Sequence, residues 1–220
     1  MYKGVIFDLD GTTLYTLEDI NESFNLTLKE FGLPERDVDT IRMGVGRGFR
    51  ILVDNVVPPE TDKELKDKIA LRYKEIYSHN YNNKTHPYEG MVEVMKELSE
   101  LGVKLAVNSN KSDIFTKNLI ATNFPDTKFT EVMGTIEGVA LKPDPQAVEI
   151  ILKEMNLNKD EVLYIGDSDI DMQTAKNAGM KSVGCLWGYR DLETLQNNGA
   201  DYIAEKPEDI IRIVKEESEI

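Results

Sequence analysis

The sequence Val5-Ile6-Phe7-Asp8-Leu9-Asp10-Gly11-Thr12 runs from three apolar residues directly into two carboxylates and a glycine. The apolar residues predict a buried strand, and the glycine predicts a turn where that strand ends. Asp8 and Asp10 would then surround one point, where two carboxylates repel each other unless one is protonated or a cation lies between them. We therefore predict a site for a hard divalent cation, Mg²⁺, with an ordinary acidic turn as the alternative.

Short apolar runs alternate with helical patterns from about residue 87 onward, which is typical of the strand and helix units that build a parallel sheet. One helix is predicted over 91–101, and another is predicted with Asp144 as its N-cap and Pro145 as its first residue. We expect an α/β fold with a Rossmann-like parallel sheet core and helices on both faces. The predicted strands are 3–8, 103–108, 131–134, 162–165, 181–185 and 201–203.

Residues 16–86 carry long helical patterns with no convincing strand between them. We predict that this segment is an inserted α-helical cap subdomain, and that 1–15 and 87–220 form the α/β catalytic core. The acidic tail, 215–220, is predicted to be a frayed helix end. The apolar residues that define the first helical pattern are Ile20, Phe24, Leu28 and Phe31.

The amino-acid composition limits the kinds of molecule that this protein is expected to bind. The 220 residues are 40% hydrophobic, which supports a proper core, and their net charge of -14 repels phosphate backbones and anionic membrane surfaces. We expect no nucleic acid or membrane partner, a cytoplasmic location and a monomer or weak homodimer, since no signal peptide, long apolar run or sustained heptad pattern is visible. The single cysteine, Cys185, lies in an apolar-leaning run and is predicted to be a small core residue.

Three further polar segments follow predicted strands or precede a predicted helix. They are Asn108-Ser109-Asn110-Lys111, Leu141-Lys142-Pro143-Asp144-Pro145 and Ile165-Gly166-Asp167-Ser168-Asp169-Ile170-Asp171. The carboxyl edge of an open α/β sheet is where ligands bind, so we expect these segments to converge on Asp8. Asp167 and Asp171 are four residues apart and would lie together at the start of a helix that begins near Ser168.

Taken in order, the four segments resemble the motifs of the haloacid dehalogenase superfamily of phosphatases, over nearly the whole chain. The helical insertion is similar to the α-helical cap of that family. Several shorter features resemble its phosphoglycolate phosphatase branch: Tyr88-Glu89-Gly90, Asn110-Lys111, Ala178-Gly179 and Trp187-Gly188-Tyr189-Arg190. The resemblance implies a Mg²⁺-dependent phosphatase that hydrolyses a small phosphorylated metabolite, a phosphoglycolate-like phosphomonoester, through an aspartyl-phosphate.

The resemblance also implies roles for individual residues. Asp8 would attack phosphorus, and Asp10 would protonate the departing alcohol and then deprotonate the hydrolytic water. The Mg²⁺ ion would be bound by Asp8, by the backbone carbonyl of Asp10 and by Asp167. Asp171 would orient these ligands without belonging to the immediate ligand set. A small phosphate monoester, once bound, would therefore meet its nucleophile, its metal and its proton donor together.

The remaining roles concern the phosphoryl group and the substrate. Ser109 would hydrogen-bond a phosphoryl oxygen, and Lys142 would neutralise both the phosphoryl group and Asp8. Thr12 and Asn110 are assigned to substrate binding by the same resemblance. The glycine-rich cap segment 43–49 would present Arg47 to an anionic substrate, with a solvated surface arginine as the alternative. A second, weaker candidate for substrate binding is Arg190.

Two positions depart from the family pattern. After Gly11 and Thr12 the family commonly continues to an apolar residue and later to an aspartate, where this chain has Thr13 and Tyr15. The catalytic atoms are untouched by these changes. They leave open how the linker into the cap is held, and therefore how the cap closes.

Other functions are compatible with parts of the pattern. A phosphohexose mutase would use the same nucleophile, but the two histidines, His79 and His86, lie far from the start of the cap, where the mutases used for comparison carry a histidine. A halide-releasing dehalogenase has no use for Asp10 or for the Asp167 site. A phospho-acceptor signalling module would combine an acidic pocket, a hydroxyl and a lysine in about 120 residues without a cap. A purely structural relative is disfavoured because every motif residue that the chemistry needs is present.

Overall fold

The computed structural model describes residues 1–215, so the last five residues of the predicted frayed tail lie outside the described residues. Within this range the strands are β1 Gly4–Phe7, β2 Leu14–Tyr15, β3 His86–Pro87, β4 Lys104–Ser112, β5 Phe129–Thr135, β6 Val162–Gly166, β7 Lys181–Cys185 and β8 Tyr202–Ala204. The helices are α1 Leu17–Glu30, α2 Val38–Gly44, α3 Phe49–Val56, α4 Lys63–Asn80, α5 Met91–Glu100, α6 Asp113–Asn123, α7 Gln146–Met155, α8 Asp169–Ala178, α9 Leu192–Asn197 and α10 Asp209–Lys215. A single 3₁₀ turn, Lys159–Glu161, precedes β6. The helices of residues 1–215 are all too short or too polar to cross a lipid bilayer.

Six strands form one parallel sheet in the order β5-β4-β1-β6-β7-β8. The central strand β1 has two neighbours, since Gly4 pairs with Lys104 of β4 on one side and with Val162 of β6 on the other. The direction in which strands are added reverses at β1, and in such sheets the crevice beside the reversal point is the usual ligand site. The predicted α/β class with a Rossmann-like parallel sheet is confirmed.

Helices cover both faces of this sheet because the inner strands are apolar on both sides. Val5 and Phe7 of β1 belong to a cluster that includes residues of α5 and α10, whereas Ile6 belongs to a cluster with residues of α7 and α8. All three side chains are fully buried. Cys185 lies in the first of these clusters as a free, buried thiol, as its apolar surroundings predict.

Helices α1 to α4 pack around a hydrophobic cluster of their own. Ile20, Phe24 and Leu28 of α1 are buried in this cluster, and the Phe24 ring stacks on Tyr73 of α4 with a centroid distance of 3.8 Å. This helical unit is joined to the sheet domain by two chain segments. The subdomain limits at 16 and 86 stay a prediction.

The two connecting segments are held side by side. The short strands β2 and β3 pair antiparallel, with Leu14 opposite Pro87 and Tyr15 opposite His86, and the Tyr15 and His86 rings lie 5.4 Å apart. Thr13, the other departure from the family pattern, donates its hydroxyl to the carbonyl of Leu9 at 3.2 Å. The linker is therefore held by backbone pairing and ring contact.

A buried carboxylate ties α1 to the returning segment. Asp19 is 1% exposed and accepts hydrogen bonds from the backbone N–H groups of Lys84 and Thr85 and from the Thr85 hydroxyl, at 2.8–3.1 Å. The first turn of the first cap helix is thus bonded to the last residues before β3. We call these contacts the Asp19 clasp.

Several predicted boundaries differ from the structure. The strand predicted over 103–108 continues to Ser112, because its pairing with β5 shifts register after Asn108 and resumes at Ser112. Asp144 accepts the expected capping bond from Gln146 N at 2.9 Å, yet the helix begins one residue later than predicted, with Pro145 in the N-cap position. The expectation of no strand within 16–86 was wrong at His86, which belongs to β3.

Candidate active site

Acidic residues from two strand ends meet at the carboxyl edge of the sheet. Asp8 follows β1, Asp167 follows the neighbouring strand β6, and Asp171 lies in the first turn of α8. One carboxylate oxygen of each residue lies within 4.8 Å of the others, and all three residues are buried. Ser168 caps α8 and donates its N–H and its hydroxyl to Asp171 Oδ2 at 3.1 and 2.6 Å. The structure therefore brings together the carboxylates that the sequence placed in separate motifs.

The Lys142 ammonium group lies among these carboxylates. Its Nζ is 2.8 Å from Asp8 Oδ1 and 2.7 Å from Asp171 Oδ1, and it donates to the carbonyl of Asn108 at 3.1 Å. Burial alone would lower the pKa of Lys142, but Asp171 and Asp8 outweigh burial and hold that pKa well above its usual value. Burial and the charge of Asp171 raise the pKa of Asp8, while Lys142 opposes them.

Asp167 is fixed by two hydrogen bonds from the protein. The Thr12 hydroxyl donates to its Oδ1 at 2.8 Å, and the backbone N–H of Tyr189 donates to its Oδ2 at 2.7 Å. Burial and then the charge of Asp171 raise the pKa of Asp167 to about 7. The turn at Gly11 has φ +90°, and a Cβ there would overlap the Asp167 carboxylate, so the close approach of the two segments requires glycine.

The donor set suits a hard divalent cation. Asp8, Asp167 and Asp171 offer only oxygen atoms, which are the ligands that Mg²⁺ prefers. Three buried carboxylates beside the single positive charge of Lys142 leave an excess of negative charge, which adds to burial, the larger cause, in raising the pKa values of Asp8 and Asp167. A bound cation would relieve it.

Asp10 has different partners from these three carboxylates. Lys111 Nζ is 2.9 Å from Asp10 Oδ1 and 3.1 Å from Oδ2, and the Thr16 hydroxyl donates to Oδ1 at 2.6 Å. Lys111 and Asp10 are each only 8% exposed at the side chain. The Tyr189 hydroxyl in turn contacts the Thr16 hydroxyl at 3.2 Å. The two aspartates of the first motif therefore lie in different electrostatic environments, one beside Lys142 and the other beside Lys111.

The predicted substrate-binding residues of the second motif make contacts within the protein. Ser109 is buried, and its hydroxyl accepts the backbone N–H of Lys111 at 3.1 Å. Asn110 accepts the N–H of Lys142 at 2.8 Å and donates to the carbonyls of Lys142 and Gly46 at 3.1 and 3.0 Å. Asn110 thus braces the backbone that carries Lys142 and bonds the cap loop. Its predicted substrate contact, like that of Thr12, stays a prediction.

Two arginines join the glycine-rich cap loop to the sheet domain. Arg47 of that loop pairs with Asp169 Oδ2 at 2.6 Å. Arg190, which is 7% exposed, donates to three carbonyls at the end of α2 and just after it, at 3.0–3.3 Å. Arg47 is therefore already bonded to a carboxylate of the sheet domain, and its predicted role as a substrate ligand stays a prediction. The three carbonyls belong to Arg42, Met43 and Val45.

Some neighbours of the site carried no assigned role in the sequence. Lys111 and Thr16 contact Asp10, and Tyr189 contacts both Asp167 and Thr16. Lys111 stands next to Asn110 in the second motif, so a cation was visible there, but its partner is about 100 residues away in sequence. Only the folded sheet reveals that pairing.

Comparison with known proteins gives consistent results. Residues 5–185 match the family model for haloacid dehalogenase-like hydrolases. A phosphoglycolate phosphatase of Aquifex aeolicus is 30% identical over 216 residues, covering 96% of each chain. A pyrophosphatase of Listeria monocytogenes is 31% identical over 216 residues, covering 97% of this chain and 96% of the relative.

Solved structures share the fold over almost the full length. The crystal structure of a putative phosphoglycolate phosphatase from Lactobacillus delbrueckii superposes with a TM-score of 0.92 at 30% identity, covering 98% of this chain and 99% of that one. A predicted phosphoglycolate phosphatase from Haemophilus somnus gives a TM-score of 0.90 at 26% identity, covering 97% of this chain and 98% of that one. The overall architecture is thus shared with these proteins.

Proposed function

The chain belongs to the haloacid dehalogenase-like hydrolases, in their phosphoglycolate phosphatase-like branch, and from this premise we propose a Mg²⁺-dependent hydrolysis of phosphoglycolate through an aspartyl-phosphate. As a member of this branch the chain is an enzyme, a hydrolase of phosphoric monoester bonds. The metal, the substrate and the residue roles are the content of the proposal. It retains the predicted cytoplasmic location and the predicted small phosphorylated metabolite as partner.

The observation that carries the proposal is that Asp8 and Asp10 have different partners. A phosphoryl transfer needs a nucleophile beside charge-neutralising groups and a proton donor on the side of the leaving oxygen. Asp8 lies beside Lys142, whereas Asp10 lies beside Lys111 and Thr16, at the boundary with the cap. Two carboxylates of one short motif therefore face different parts of a bound ester.

In the first step an Asp8 oxygen bonds to phosphorus as the phosphorus–oxygen bond to the leaving group breaks. Asp10 gives its proton to the departing oxygen. In the second step Asp10 takes a proton from water, whose oxygen bonds to phosphorus and releases inorganic phosphate and the Asp8 carboxylate. Lys142 neutralises charge on Asp8 and on the phosphoryl group throughout, and Ser109 donates its hydroxyl to a phosphoryl oxygen.

We assign the metal to Asp8, the Asp10 backbone carbonyl and Asp167, with Asp171 holding the arrangement through Lys142 and Ser168. When bound, Mg²⁺ supplies positive charge that lowers the repulsion between the substrate and the anionic nucleophile. Asn110 and Arg190 bond the cap loop to the sheet domain, and this closure excludes bulk water from the site at the carboxyl edge of the sheet.

The similarity to a Listeria pyrophosphatase supports a second candidate substrate, pyrophosphate. The same nucleophile and proton donor would serve, with phosphate as the leaving group. Nothing in the described part of the structure or among the relatives above favours a mutase or a phospho-acceptor module.

The test is phosphate release from a panel that contains phosphoglycolate, pyrophosphate, a sugar phosphate and a nucleoside monophosphate, with and without Mg²⁺. Asp8→Asn should abolish turnover, and Asp39→Asn is a matched control because Asp39 is an exposed carboxylate whose partner is Arg42 on the same cap helix. Turnover that needs both Mg²⁺ and Asp8 supports the proposal. Appreciable turnover by pure Asp8→Asn protein would sink the assignment of the nucleophile, and stable phosphorylation without phosphate release would favour a phospho-acceptor.

A further inference from the structure

Lys111 is a buried cation on the leaving-group side of the site. Its Nζ lies 2.9 Å from Asp10 Oδ1 and 5.0 Å from the centroid of the Tyr77 ring, which belongs to the cap helix α4. Asp10 accounts for at most two of its three N–H donors, since the ammonium group carries three. The side chain is 8% exposed, so any group that meets the remaining donor meets it away from bulk water.

The hydroxyl of the same tyrosine, Tyr77, lacks a hydrogen-bond partner among residues 1–215, although Tyr77 is only 3% exposed. A buried hydroxyl is rarely left unpaired, and such groups usually mark a place where water or a ligand binds. Burial, the charge of Asp10 and the charge of Asp19 raise the pKa of Tyr77, so its hydroxyl stays protonated and able to donate. Lys111, which pairs with the residue proposed to protonate the leaving group, therefore packs against a tyrosine whose buried hydroxyl is unpaired among the described residues.

We propose that Lys111, together with the Tyr77 hydroxyl, binds an anionic group carried by the leaving portion of the substrate, close to the oxygen that departs. This inference rests on the proposed function. The chemistry fits two sources, the carboxylate of phosphoglycolate and the distal phosphate of pyrophosphate. It also distinguishes such substrates from esters whose leaving group is neutral.

The distances favour a short leaving group. Lys111 Nζ is 2.9 Å from Asp10, and Asp10 must come within about 2.7 Å of the ester oxygen to protonate it, so Nζ lies within about 6 Å of that oxygen. In phosphoglycolate the carboxylate oxygens lie about 3 Å from the ester oxygen, given bond lengths near 1.5 and 1.2 Å. The remaining gap of about 3 Å is one hydrogen bond. An anion at the far end of a hexose lies beyond this reach.

The other cations near the site have different partners. Lys142 is enclosed by Asp8 and Asp171, and Arg47 pairs with Asp169, a carboxylate with no part in the proposed reaction. Arg47 is therefore the competing candidate for binding a substrate anion, and the experiment must compare it with Lys111, because both are cations at the boundary between cap and sheet domain. If Arg47 joins the two parts of the protein, its loss should affect every substrate alike.

The experiment compares kcat/KM for phosphoglycolate and for 2-hydroxyethyl phosphate, which has the same chain length without the charge, in the Mg²⁺-loaded enzyme. Lys111→Met should reduce the ratio of the two values by about 10- to 100-fold, the worth of one hydrogen bond between charged groups. Lys111→Arg should retain part of the ratio, and Tyr77→Phe should reduce it by a smaller factor. Arg47→Met should lower both values by similar factors and leave the ratio unchanged.

Binding provides a readout that is independent of turnover. In the Asp8→Asn background, calorimetric titration should show that Lys111→Met weakens phosphoglycolate by the same factor and 2-hydroxyethyl phosphate by less than about threefold. Pyrophosphate and methyl phosphate form the second pair, and the anionic substrate with the larger loss identifies the source. Melting of each variant followed by circular dichroism confirms that it is folded.

Four results would overturn the inference. Equal losses for both substrates in Lys111→Met would mean that Lys111 acts only on Asp10. A ratio that falls in Arg47→Met instead would transfer the role to Arg47. Equal kcat/KM values for the neutral and the anionic ester in the unmodified enzyme would mean that the site does not recognise an anionic leaving group. Hydrolysis of none of the four compounds would refute the proposed function itself, which is a different observation from the first three.

Discussion

Removal of the Asp19 carboxylate should destabilise the protein through the segment that returns from the cap. In Asp19→Ala two backbone N–H groups lose their acceptor, and the Thr85 hydroxyl keeps only its longer contact with the carbonyl of Tyr81 at 3.1 Å. A hydrogen bond to a charged group contributes about 1.5–3 kcal/mol, and because Lys84 and Thr85 are not fully buried, water replaces part of this. We expect a loss of about 3 kcal/mol in the free energy of unfolding.

This loss converts to a melting shift. An unfolding entropy of about 2.1 cal/mol/K per residue gives about 0.46 kcal/mol/K for 220 residues, so Tm should fall by about 6 °C. Asp19→Asn should fall between wild type and Asp19→Ala, because it keeps one carbonyl oxygen but turns an NH₂ group toward donors. Calorimetry measures Tm, and hydrogen exchange should show the amides of Lys84 and Thr85 exchanging at least about tenfold faster.

The matched control is Glu18→Ala. Glu18 lies in the same helical turn and faces the same partner, Lys84, but its carboxylate is 51% exposed and 3.9 Å from Lys84 Nζ. Exposed pairs of this kind contribute less than about 1 kcal/mol, so Tm should change by less than about 2 °C. The reasoning fails if Asp19→Ala shifts Tm no more than Glu18→Ala, or if the exchange of the two clasp amides is unchanged.

Three further predictions concern the site. Lys142→Met leaves two buried carboxylates without their cation and should lower the free energy of unfolding by about 3–5 kcal/mol. Mg²⁺ should restore part of this loss, which denaturant unfolding with and without the metal measures. Burial raises the pKa of Asp167 to about 7 from 3.8, so between these two pH values the metal-free folded protein holds a proton that the unfolded chain has lost. The stability of the metal-free protein should therefore fall as pH rises from about 4 to about 7. Thermal melts in EDTA and in Mg²⁺ should show that Mg²⁺ raises Tm more at about pH 8 than at about pH 5.5. Arg190→Met removes the groups that donate hydrogen bonds to the cap-loop carbonyls, and it should raise KM about tenfold with a smaller change in kcat. Hydrogen exchange of residues 42–46 should become faster in this variant. Unchanged exchange would contradict the idea that Arg190 braces the loop.

The parts of this structure that sequence reasoning predicted are those with local signals. The apolar run before Asp8 indicated a buried central strand, and Val5, Ile6 and Phe7 are fully buried. The strand ends at Asp8 and Asp167 could be placed at one sheet edge because parallel strands share that edge. Once the order of the motifs along the chain is known, the sheet topology places Lys142 at the same edge as Asp8 and Asp167.

The parts that sequence reasoning missed depend on contacts between distant segments. The pairing of Lys111 with Asp10 and the bonds of Arg190 to the cap loop have no local signature, since a buried cation and a solvated one look alike in a sequence. The strand β4 extends past Asn108 through serine, asparagine and lysine, residues that favour strands little, because its pairing with β5 shifts register there and resumes between Ser112 and Thr135. Tertiary pairing outweighed local preference in each case.

The pairing of β2 with β3 means that the helical insertion starts and finishes at nearly the same point. Leu14 faces Pro87 and Tyr15 faces His86, and paired antiparallel residues have Cα atoms about 5 Å apart. A gap of that size is what a two-residue hairpin turn closes. The chain therefore leaves the sheet domain and returns to it at one point, so the whole insertion has the geometry of a single long loop and leaves the path of the six parallel strands undisturbed.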